Sequence, residues 1–128
     1  MTSVEVPYSV AAALPTLSVF DITNEVSREV RAADVGSGLV YISPEAGCSL
    51  VRVTEREAGF FCDLEEMLAR LVPTDAADRE RLLVMLLGPR TEQVPFVDRR
   101  LCLGTWQRVL LFCLNGDARA DWTLTILG

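Results

Sequence analysis

The chain has 128 residues, of which 50% are hydrophobic and 23% charged, and its formal net charge is −6. This composition is typical of one globular domain, which we place over residues 1–128. All twelve basic residues are Arg, and the sequence contains neither Lys nor His. Their absence excludes a Ser-His or Cys-His nucleophile, a Schiff-base lysine and a histidine zinc site. The negative charge and the scattered arginines predict that nucleic acid is not a partner.

The sequence gives no signal for membrane insertion or export. No apolar run approaches the ~18 residues of a membrane span, and the N-terminus lacks the basic start and long apolar stretch of a signal peptide. We therefore expect no membrane partner and a cytoplasmic location, where thiols stay reduced. The four cysteines show no C-x-x-C spacing. Cys102 and Cys113 have apolar neighbours and are expected to be small core residues.

The first third of the chain predicts two strands and a helix. Residues 3–10 and 16–22 have strand patterns, and Pro7 favours an edge position for the first strand. Asp21 and Thr23 are competing N-cap residues for the helix that follows. The glycines of residues 36–38 end this helix. Its apolar residues recur at helical spacing, at Val26, Val30 and Ala33.

The middle of the chain predicts two further strands and two helices. Residues 39–43 and 50–54 are predicted to pair across a turn at residues 44–47. Helices are predicted over residues 59–71 and about 75–87, each followed by a proline that ends it. The first of these helices has an apolar stripe formed by Phe60, Phe61, Leu64, Met67, Leu68 and Leu71.

The last third is predicted to be β-structure. Residues 94–97 and 100–103 are predicted strands, separated by a short turn. Residues 106–114 are almost continuously apolar, which predicts a strand buried on both faces. A closing strand is predicted over residues 122–127. Because strands and helices are intermixed and joined by hairpin-length loops, the sequence favours an α+β fold with largely antiparallel sheets.

Five landmark segments occur in a characteristic order along the chain. They are Phe20-Asp21-Ile22-Thr23, residues 55–64, Leu71-Val72-Pro73, Leu86-Leu87-Gly88-Pro89, and Val94-Pro95-Phe96 with Leu103-Gly104-Thr105-Trp106-Gln107. The most specific landmark is the last, a Val-Pro followed about eight residues later by a Leu-Gly-Thr-Trp-Gln string. Together these segments resemble the YjbQ-like family, known as secondary thiamine-phosphate synthases.

The resemblance implies a β-sandwich of mostly antiparallel strands with two or three packed helices. It also implies a homotrimer with pockets at the subunit interfaces. The family pocket contains histidines that hold a metal or an anion, and thiamine-phosphate synthase is a weak side activity of some members.

The sequence departs from the family where those histidines are expected. The first histidine position falls on Glu45 or Ala46, and two more, at the start of the third helix, fall on Arg79 and Arg81. Most of the loop before that helix is missing. The departures predict that the metal chemistry has been lost, with no metal and no cofactor bound.

Several readings of the substituted pocket stay open. Arg79 and Arg81 are either solvated charges, or partners of Glu55 and Asp63 in place of a cation, or the lining of a pocket for a small anionic ligand. Trp106 and Gln107 either line that pocket, or Trp106 packs in the core and Gln107 faces an interface; the sequence favours the second reading. The candidate pocket residues are Glu45, Glu55, Asp63, Arg79, Arg81, Gly104, Thr105, Trp106, Gln107 and Arg119.

Three functions follow from these readings. The first is a YjbQ-like homotrimer that is non-catalytic or catalytically altered. The second is a protein, or an altered enzyme, that binds a small anion or phosphorylated metabolite in an Arg/Glu pocket at the trimer interface. The third is a non-catalytic subunit in a mixed trimer with a histidine-bearing paralogue.

Overall fold

The computed structural model describes residues 9–116 and 121–128. Within them the chain forms eight strands and three helices. The strands are β1 (Ser9–Leu14), β2 (Leu17–Asp21), β3 (Gly38–Pro44), β4 (Ser49–Glu55), β5 (Glu92–Val97), β6 (Arg100–Leu101), β7 (Gln107–Cys113) and β8 (Trp122–Leu127). The helices are α1 (Thr23–Ala32), α2 (Ala58–Leu71) and α3 (Arg79–Leu87).

The strands form two four-stranded sheets, which confirms the α+β prediction. Sheet A has the order β1-β2-β7-β4, and sheet B has the order β6-β5-β3-β8. Each strand pair in the described residues is antiparallel. The two sheets enclose one apolar core, which α1 completes through Val26 and Val30. The helices α2 and α3 cover the other face of sheet A, where a second apolar cluster lies.

Strand β7 is buried on both faces, as its sequence predicts. Val109, Leu111 and Cys113 contribute to the core between the sheets. The alternate residues Leu110, Phe112 and Leu114 contribute to the cluster under the helices. Successive side chains of a strand point to opposite faces, so a continuous apolar run can serve two layers at once. The architecture therefore has three layers, in the order helices, sheet A and sheet B.

The predicted pairing of residues 39–43 with 50–54 is wrong. Strand β3 pairs with β5 and β8 in sheet B, whereas β4 pairs with β7 in sheet A over seven residue pairs. The turn after Pro44 thus carries the chain from one sheet to the other. The short loop had predicted a hairpin, but burying both faces of β7 requires a strand beside it in sheet A.

Several predicted boundaries also shift. Strand β1 is Ser9–Leu14, and residues 3–8 of the predicted strand lie outside the described part of the chain. Helix α3 begins at Arg79 and not near residue 75. The predicted strand 100–103 shortens to Arg100–Leu101, which leaves Cys102 exposed, so its predicted core position is wrong. Cys113 is buried, as predicted.

The helices α2 and α3 are attached to sheet A through a few buried side chains. Phe61 and Leu68 anchor α2, and the Phe61 ring meets Phe112 edge to face with centroids 5.9 Å apart. Helix α3 buries Leu83 and the side chain of Arg79. In the described residues, no helix is long and apolar enough to cross a membrane.

The three-layer arrangement predicts that truncating either face of β7 destabilises the fold. Leu110→Ala and Leu111→Ala should each lower the free energy of unfolding by about 2–5 kcal/mol, because each leaves a cavity in a different layer. Urea denaturation followed by circular dichroism measures the change. Leu127→Ala is the control, since Leu127 is half exposed and should cost less than about 1 kcal/mol. A neutral effect of either β7 variant would contradict the two-sided burial.

Candidate functional site

The end of β2 carries a buried carboxylate, Asp21, whose side chain is only 1% exposed. Oδ1 of Asp21 accepts hydrogen bonds from the backbone N–H of Thr23 at 3.1 Å and from its hydroxyl at 2.6 Å. Asp and Asn commonly accept such a bond from the N–H two residues on, because it closes a tight turn. The side chain therefore fixes the turn from β2 into α1, although Ile22 is the residue that directly precedes the helix.

The same turn is bound to β7. The N–H of Val109 donates to the hydroxyl oxygen of Thr23 at 2.8 Å, and the N–H of Ile22 donates to the Val109 carbonyl at 3.0 Å. These bonds fix the start of α1 against the first half of β7. As a result Arg108, one residue before Val109, lies beside Asp21.

Two arginines donate to the second oxygen of the Asp21 carboxylate. Arg108 Nε lies 2.8 Å from Oδ2, and Arg56 Nη1 lies 3.3 Å from it. Arg108 belongs to the start of β7, and Arg56 directly follows β4. Their side chains are 36% and 39% exposed. Charge-assisted bonds of this kind offset the cost of burying a carboxylate.

The environment of Asp21 lowers its pKa. Burial by itself would raise the pKa of this carboxyl, but the hydrogen bonds from Arg108 and Thr23 outweigh burial and hold the pKa below its ordinary value. Asp21 is therefore ionised at neutral pH.

A second buried carboxyl, Glu25, lies one helical turn beyond Asp21. Only 6% of Glu25 is exposed, and within residues 9–116 and 121–128 its Oε2 has no hydrogen-bond partner. Burial raises the pKa of Glu25, and the nearby Asp21 carboxylate adds to that effect. The hydrogen bond from the backbone N–H of Glu25 and the charges of Arg28 and Arg108 oppose it without cancelling it. The pKa of Asp21 is thus lowered, whereas the pKa of Glu25 is raised.

A cleft of about 560 Å³ opens beside Asp21. We call it the carboxylate–arginine cleft. Glu57 is already engaged there as the N-cap of α2, because its carboxylate accepts from the backbone N–H groups of Gly59 and Phe60 at 2.8 and 2.7 Å. The lining residues are Asp21, Glu55, Arg56, Glu57, Thr105, Trp106 and Arg108.

The predicted core position of Trp106 is wrong, since 73% of the residue is exposed. It belongs to a turn that precedes β7. Gln107 closes this turn, accepting at Oε1 from the Gly104 N–H at 2.7 Å and donating its own N–H to the Gly104 carbonyl at 3.1 Å. A Cβ at Gly104 would lie 3.1 Å from that Oε1, so glycine fits the turn best. The turn leaves the indole at the mouth of the carboxylate–arginine cleft.

The candidate pocket residues divide between two clefts. Glu55, Thr105 and Trp106 line the carboxylate–arginine cleft. Arg79 and Arg81 line another cleft, of about 420 Å³, at the start of α3. Glu55 pairs with the first residue of β7, whereas Asn115, which lines the second cleft, lies just beyond its last residue. The clefts therefore lie at opposite ends of sheet A, roughly 20 Å apart at the ordinary rise of a strand.

Arg79 is buried and bonds to the main chain. Only 8% of Arg79 is exposed. Its Nε donates to the Val72 carbonyl at 3.0 Å, and its Nη1 donates to the Leu114 carbonyl at 3.4 Å. The predicted pairing of this arginine with Glu55 or Asp63 is wrong, and so is the solvated alternative. Its guanidinium instead joins the α2–α3 connection to the end of β7.

The candidate residues Glu45, Asp63 and Arg81 are exposed to solvent. The Arg81 side chain is 85% exposed and lies 3.8 Å from Asp78, in agreement with the solvated reading. Asp63 is exposed on α2. Glu45 is exposed in the turn after β3, where its N–H donates to the Asp121 carbonyl at 3.1 Å. Arg119 lies outside the described residues.

The residues present do not fit the metal that the family resemblance implies. The chain has no His. Across residues 9–116 and 121–128, no three or more Cys, Asp or Glu side chains group where they could hold a metal ion. At one expected histidine position, Arg79 supplies a guanidinium, which is a cation and not a ligand.

Two antiparallel sheets, helices over one of them and a carboxylate–arginine cleft define a small α+β sandwich protein. The chain belongs to the YjbQ-like family, because the family described as "UPF0047 protein YjbQ-like" matches residues 13–128. A UPF0047 protein of Archaeoglobus fulgidus is 35% identical over 109 residues, which cover 78% of this chain and 83% of that protein. A UPF0047 protein of Methanothermobacter thermautotrophicus is 27% identical over 122 residues, covering 88% and 84%.

Solved structures have the same fold. An uncharacterized conserved protein of the YjbQ/UPF0047 family from Clostridium acetobutylicum superimposes with a TM-score of 0.78 at 19% identity, covering 95% of this chain and all of the other. A hypothetical protein from Aeropyrum pernix K1 gives a TM-score of 0.78 at 24% identity, covering 95% and 97%. At these identities the likeness concerns the fold.

Sequence reasoning did not place Arg56, Arg108 and Glu25 at the site. The sequence predicts Asp21 as a candidate helix cap and as part of a segment that resembles the family, but not as a site residue. Asp21 and Arg56 lie within segments that resemble the family, and Arg108 directly follows Gln107, so a sequence signal was present for these three residues. No such signal points to Glu25. The convergence of Asp21, Arg56 and Arg108 depends on β2, β4 and β7 being neighbours in one sheet.

Asp21→Asn should destabilise the protein by about 1–3 kcal/mol at pH 7, because it removes a charged acceptor from two arginines. A lowered carboxyl pKa contributes stability above the ordinary pKa, and this contribution is lost as pH falls through the lowered value. The difference in the free energy of unfolding between wild type and variant should therefore shrink as the pH falls below the ordinary pKa of Asp. Urea denaturation from pH 7 to pH 3 measures it, with exposed Asp63→Asn as the control. A difference that does not change with pH would contradict the assignment.

Glu25→Gln should stabilise the protein at pH 7. Folding raises the pKa of this carboxyl. The protein therefore loses stability as the pH rises through that raised pKa, because the buried carboxyl must then ionise. The neutral amide avoids this ionisation, so the gain should vanish below the ordinary Glu pKa. Thermal unfolding at pH 7 and pH 4 tests the prediction, with Glu29→Gln on the same helix as the control. A variant less stable than wild type at pH 7 would exclude this explanation.

Proposed function

We propose that this chain binds a small phosphorylated or carboxylated metabolite in the carboxylate–arginine cleft, and does so without a resident metal. The anionic group of the ligand contacts the guanidinium of Arg108, with Arg56 beside it. The chain then keeps a ligand-binding role within the family, although it lacks the histidines that the family resemblance associates with metal chemistry.

The observation that carries the proposal is how Arg108 is held. Nε is bound to the buried Asp21 carboxylate at 2.8 Å, and Nη2 lies 3.5 Å from Asn24 Oδ1. A guanidinium has five N–H donors, so donors remain for an oxyanion in the cleft. Because Asp21 already fixes the side chain, little rotamer freedom is lost when an anion binds.

Trp106 and Glu55 narrow the ligand class. An indole that is 73% exposed offers a flat apolar face beside the arginines, and burying it against a planar ring is favourable. Glu55 supplies a carboxylate that accepts hydrogen bonds and disfavours a second anionic group near it. We therefore infer a ligand with one anionic group, a planar ring and an N–H or O–H donor.

Catalysis is not part of this proposal. The histidines that the family resemblance associates with a metal or an anion are absent, and the residues at two of their positions, Arg79 and Arg81, line the other cleft. Thiamine phosphate, which combines rings with one phosphate, is a suitable binding probe. We do not propose that the chain catalyses the thiamine-phosphate synthase reaction, or that this reaction is its physiological role.

We also propose that the chain works as a homotrimer, as the family resemblance implies. The support is the large apolar side chains of α2 and α3 that face solvent, among them Met85 at 81% exposed. A mixed trimer with a histidine-bearing paralogue is the alternative, and co-purification with such a paralogue distinguishes the two.

Isothermal titration calorimetry with thiamine phosphate and with inorganic phosphate, each in the presence of EDTA, tests the binding proposal. Arg108→Gln should weaken the binding of both probes about 10- to 100-fold, since a hydrogen bond to a charged group contributes about 1.5–3 kcal/mol. Trp106→Ala should weaken the binding of thiamine phosphate and leave that of inorganic phosphate unchanged.

Arg81→Gln is the matched control, because the Arg81 side chain is 85% exposed and lines the other cleft, at the opposite end of sheet A. It should bind both probes as wild type does. The proposal fails if neither probe binds, if Arg108→Gln binds as wild type does while folded, or if EDTA abolishes binding.

A further inference from the structure

Glu25 is a buried carboxyl that takes no part in the proposed contact between the anion and Arg108. It lies in the first turn of α1, and only 6% of the residue is exposed. Its Oε2 has no hydrogen-bond partner among the described residues, whereas buried polar atoms are nearly always paired. An unpaired buried carboxyl destabilises a fold, and natural proteins keep such groups mainly where function requires them.

The Glu25 carboxyl interacts electrostatically with the groups at the proposed anion site. Arg108 bonds at Nε to Asp21, four residues before Glu25, at 2.8 Å. Its Nη2 lies 3.5 Å from Oδ1 of Asn24, the residue directly before Glu25. The charges of both Arg108 and Asp21 act on the Glu25 carboxyl. Because such interactions are mutual, the ionisation of Glu25 changes the electrostatic potential at the Arg108 guanidinium.

Charged residues lie on α1 beside Glu25 and on the strands next to this helix. They are Arg28, Glu29, Asp21 at the end of β2, Arg100 of β6 and Arg108 of β7. Arg28 and Arg108 favour ionisation of the buried carboxyl, whereas Asp21 opposes it. Burial outweighs both arginines and the hydrogen bond from the residue's own N–H, so the pKa of Glu25 is raised. Glu25 therefore changes charge at a higher pH than an exposed Glu does.

We propose that Glu25 makes anion binding in the carboxylate–arginine cleft depend on pH. When Glu25 is protonated, one buried carboxylate, that of Asp21, offsets the charge of Arg108, and the anion binds. When Glu25 ionises, a second buried negative charge opposes the anion, and binding weakens. The proposal rests on the proposed function and adds its regulation, since the chain releases its ligand as the pH rises.

Anion binding and the protonation of Glu25 favour each other. An anion beside Arg108 disfavours the ionised form of Glu25, so binding raises the pKa of this carboxyl further and a proton is taken up. Tighter binding at low pH and proton uptake on binding therefore measure the same coupling. A unit charge at a separation of about 10 Å, partly screened by salt, changes an affinity by about 3- to 10-fold.

Isothermal titration calorimetry with sulfate, at several pH values from 4.5 to 8, tests the proposal, because sulfate keeps its charge over this range. Glu25→Gln mimics the protonated carboxyl. Its affinity should match that of wild type at the lowest pH and exceed it about 3- to 10-fold at pH 8. The ratio of the two affinities isolates Glu25, since both chains share the other carboxyls of the cleft.

Glu80→Gln is the matched control, because Glu80 lines the other cleft, at the opposite end of sheet A. It should follow wild type at every pH. A second measurement uses wild type alone, in two buffers of different ionisation enthalpy. Sulfate binding should take up a fraction of a proton at a pH near the raised pKa of Glu25, and this uptake should fall in Glu25→Gln.

The outcomes separate this regulation from the binding proposal. Sulfate that binds at no pH overturns the proposed function, and the regulation with it. Sulfate binding with an affinity ratio that stays near one from pH 4.5 to pH 8 overturns the regulation alone. The same holds if Glu80→Gln changes the pH dependence as Glu25→Gln does, or if the proton uptake is equal in wild type and Glu25→Gln.

Discussion

The burial of β7 on both faces is the constraint on which the rest of the structure depends. One row of its side chains completes the core between the sheets, and the alternate row lies under α2 and α3. A strand placed in this way needs a partner along each edge, which β2 and β4 supply. Strand β7 also runs from one end of sheet A to the other, and a cleft lies at each end. The groups that line one cleft therefore do not contact those that line the other.

Asp21 is a charged residue buried in this largely apolar architecture, as are Glu25 and Arg79. Burying a carboxylate is costly unless its oxygens are hydrogen-bonded, and here Thr23 binds one oxygen while Arg56 and Arg108 bind the other. The donors come from α1, from the segment after β4 and from β7. A single side chain therefore joins three elements and holds Arg108 in a defined place at the cleft. For Glu25, one turn away, burial outweighs the hydrogen bond from its own backbone N–H, and its pKa shifts upward.

Much of the fold was predictable from local patterns. The antiparallel α+β class, the two-sided burial of β7 and the extent of α2 follow from periodicity and from breaker residues, which act over a few neighbouring positions. The pairing of β3 and β4 was not predictable in this way, because a short loop permits either a hairpin or a change of sheet. The predicted core position of Trp106 was wrong for a related reason. An aromatic residue beside a buried strand predicts core, but the Gly104–Gln107 hydrogen bonds place it in a turn.

The sequence by itself determined the family, the fold class and the absence of histidine chemistry, because these depend on residue identity and order. The tertiary structure decided which residues meet. It placed Arg56 and Arg108 on Asp21 and buried Arg79 against two carbonyls, whereas the sequence had grouped Arg79 with Glu55. It also left Leu82, Met85 and Leu86 of α3 in solvent, although they are as apolar as the residues of β7. Such contacts depend on strand order and layer packing, which join residues far apart in the chain and leave no local pattern.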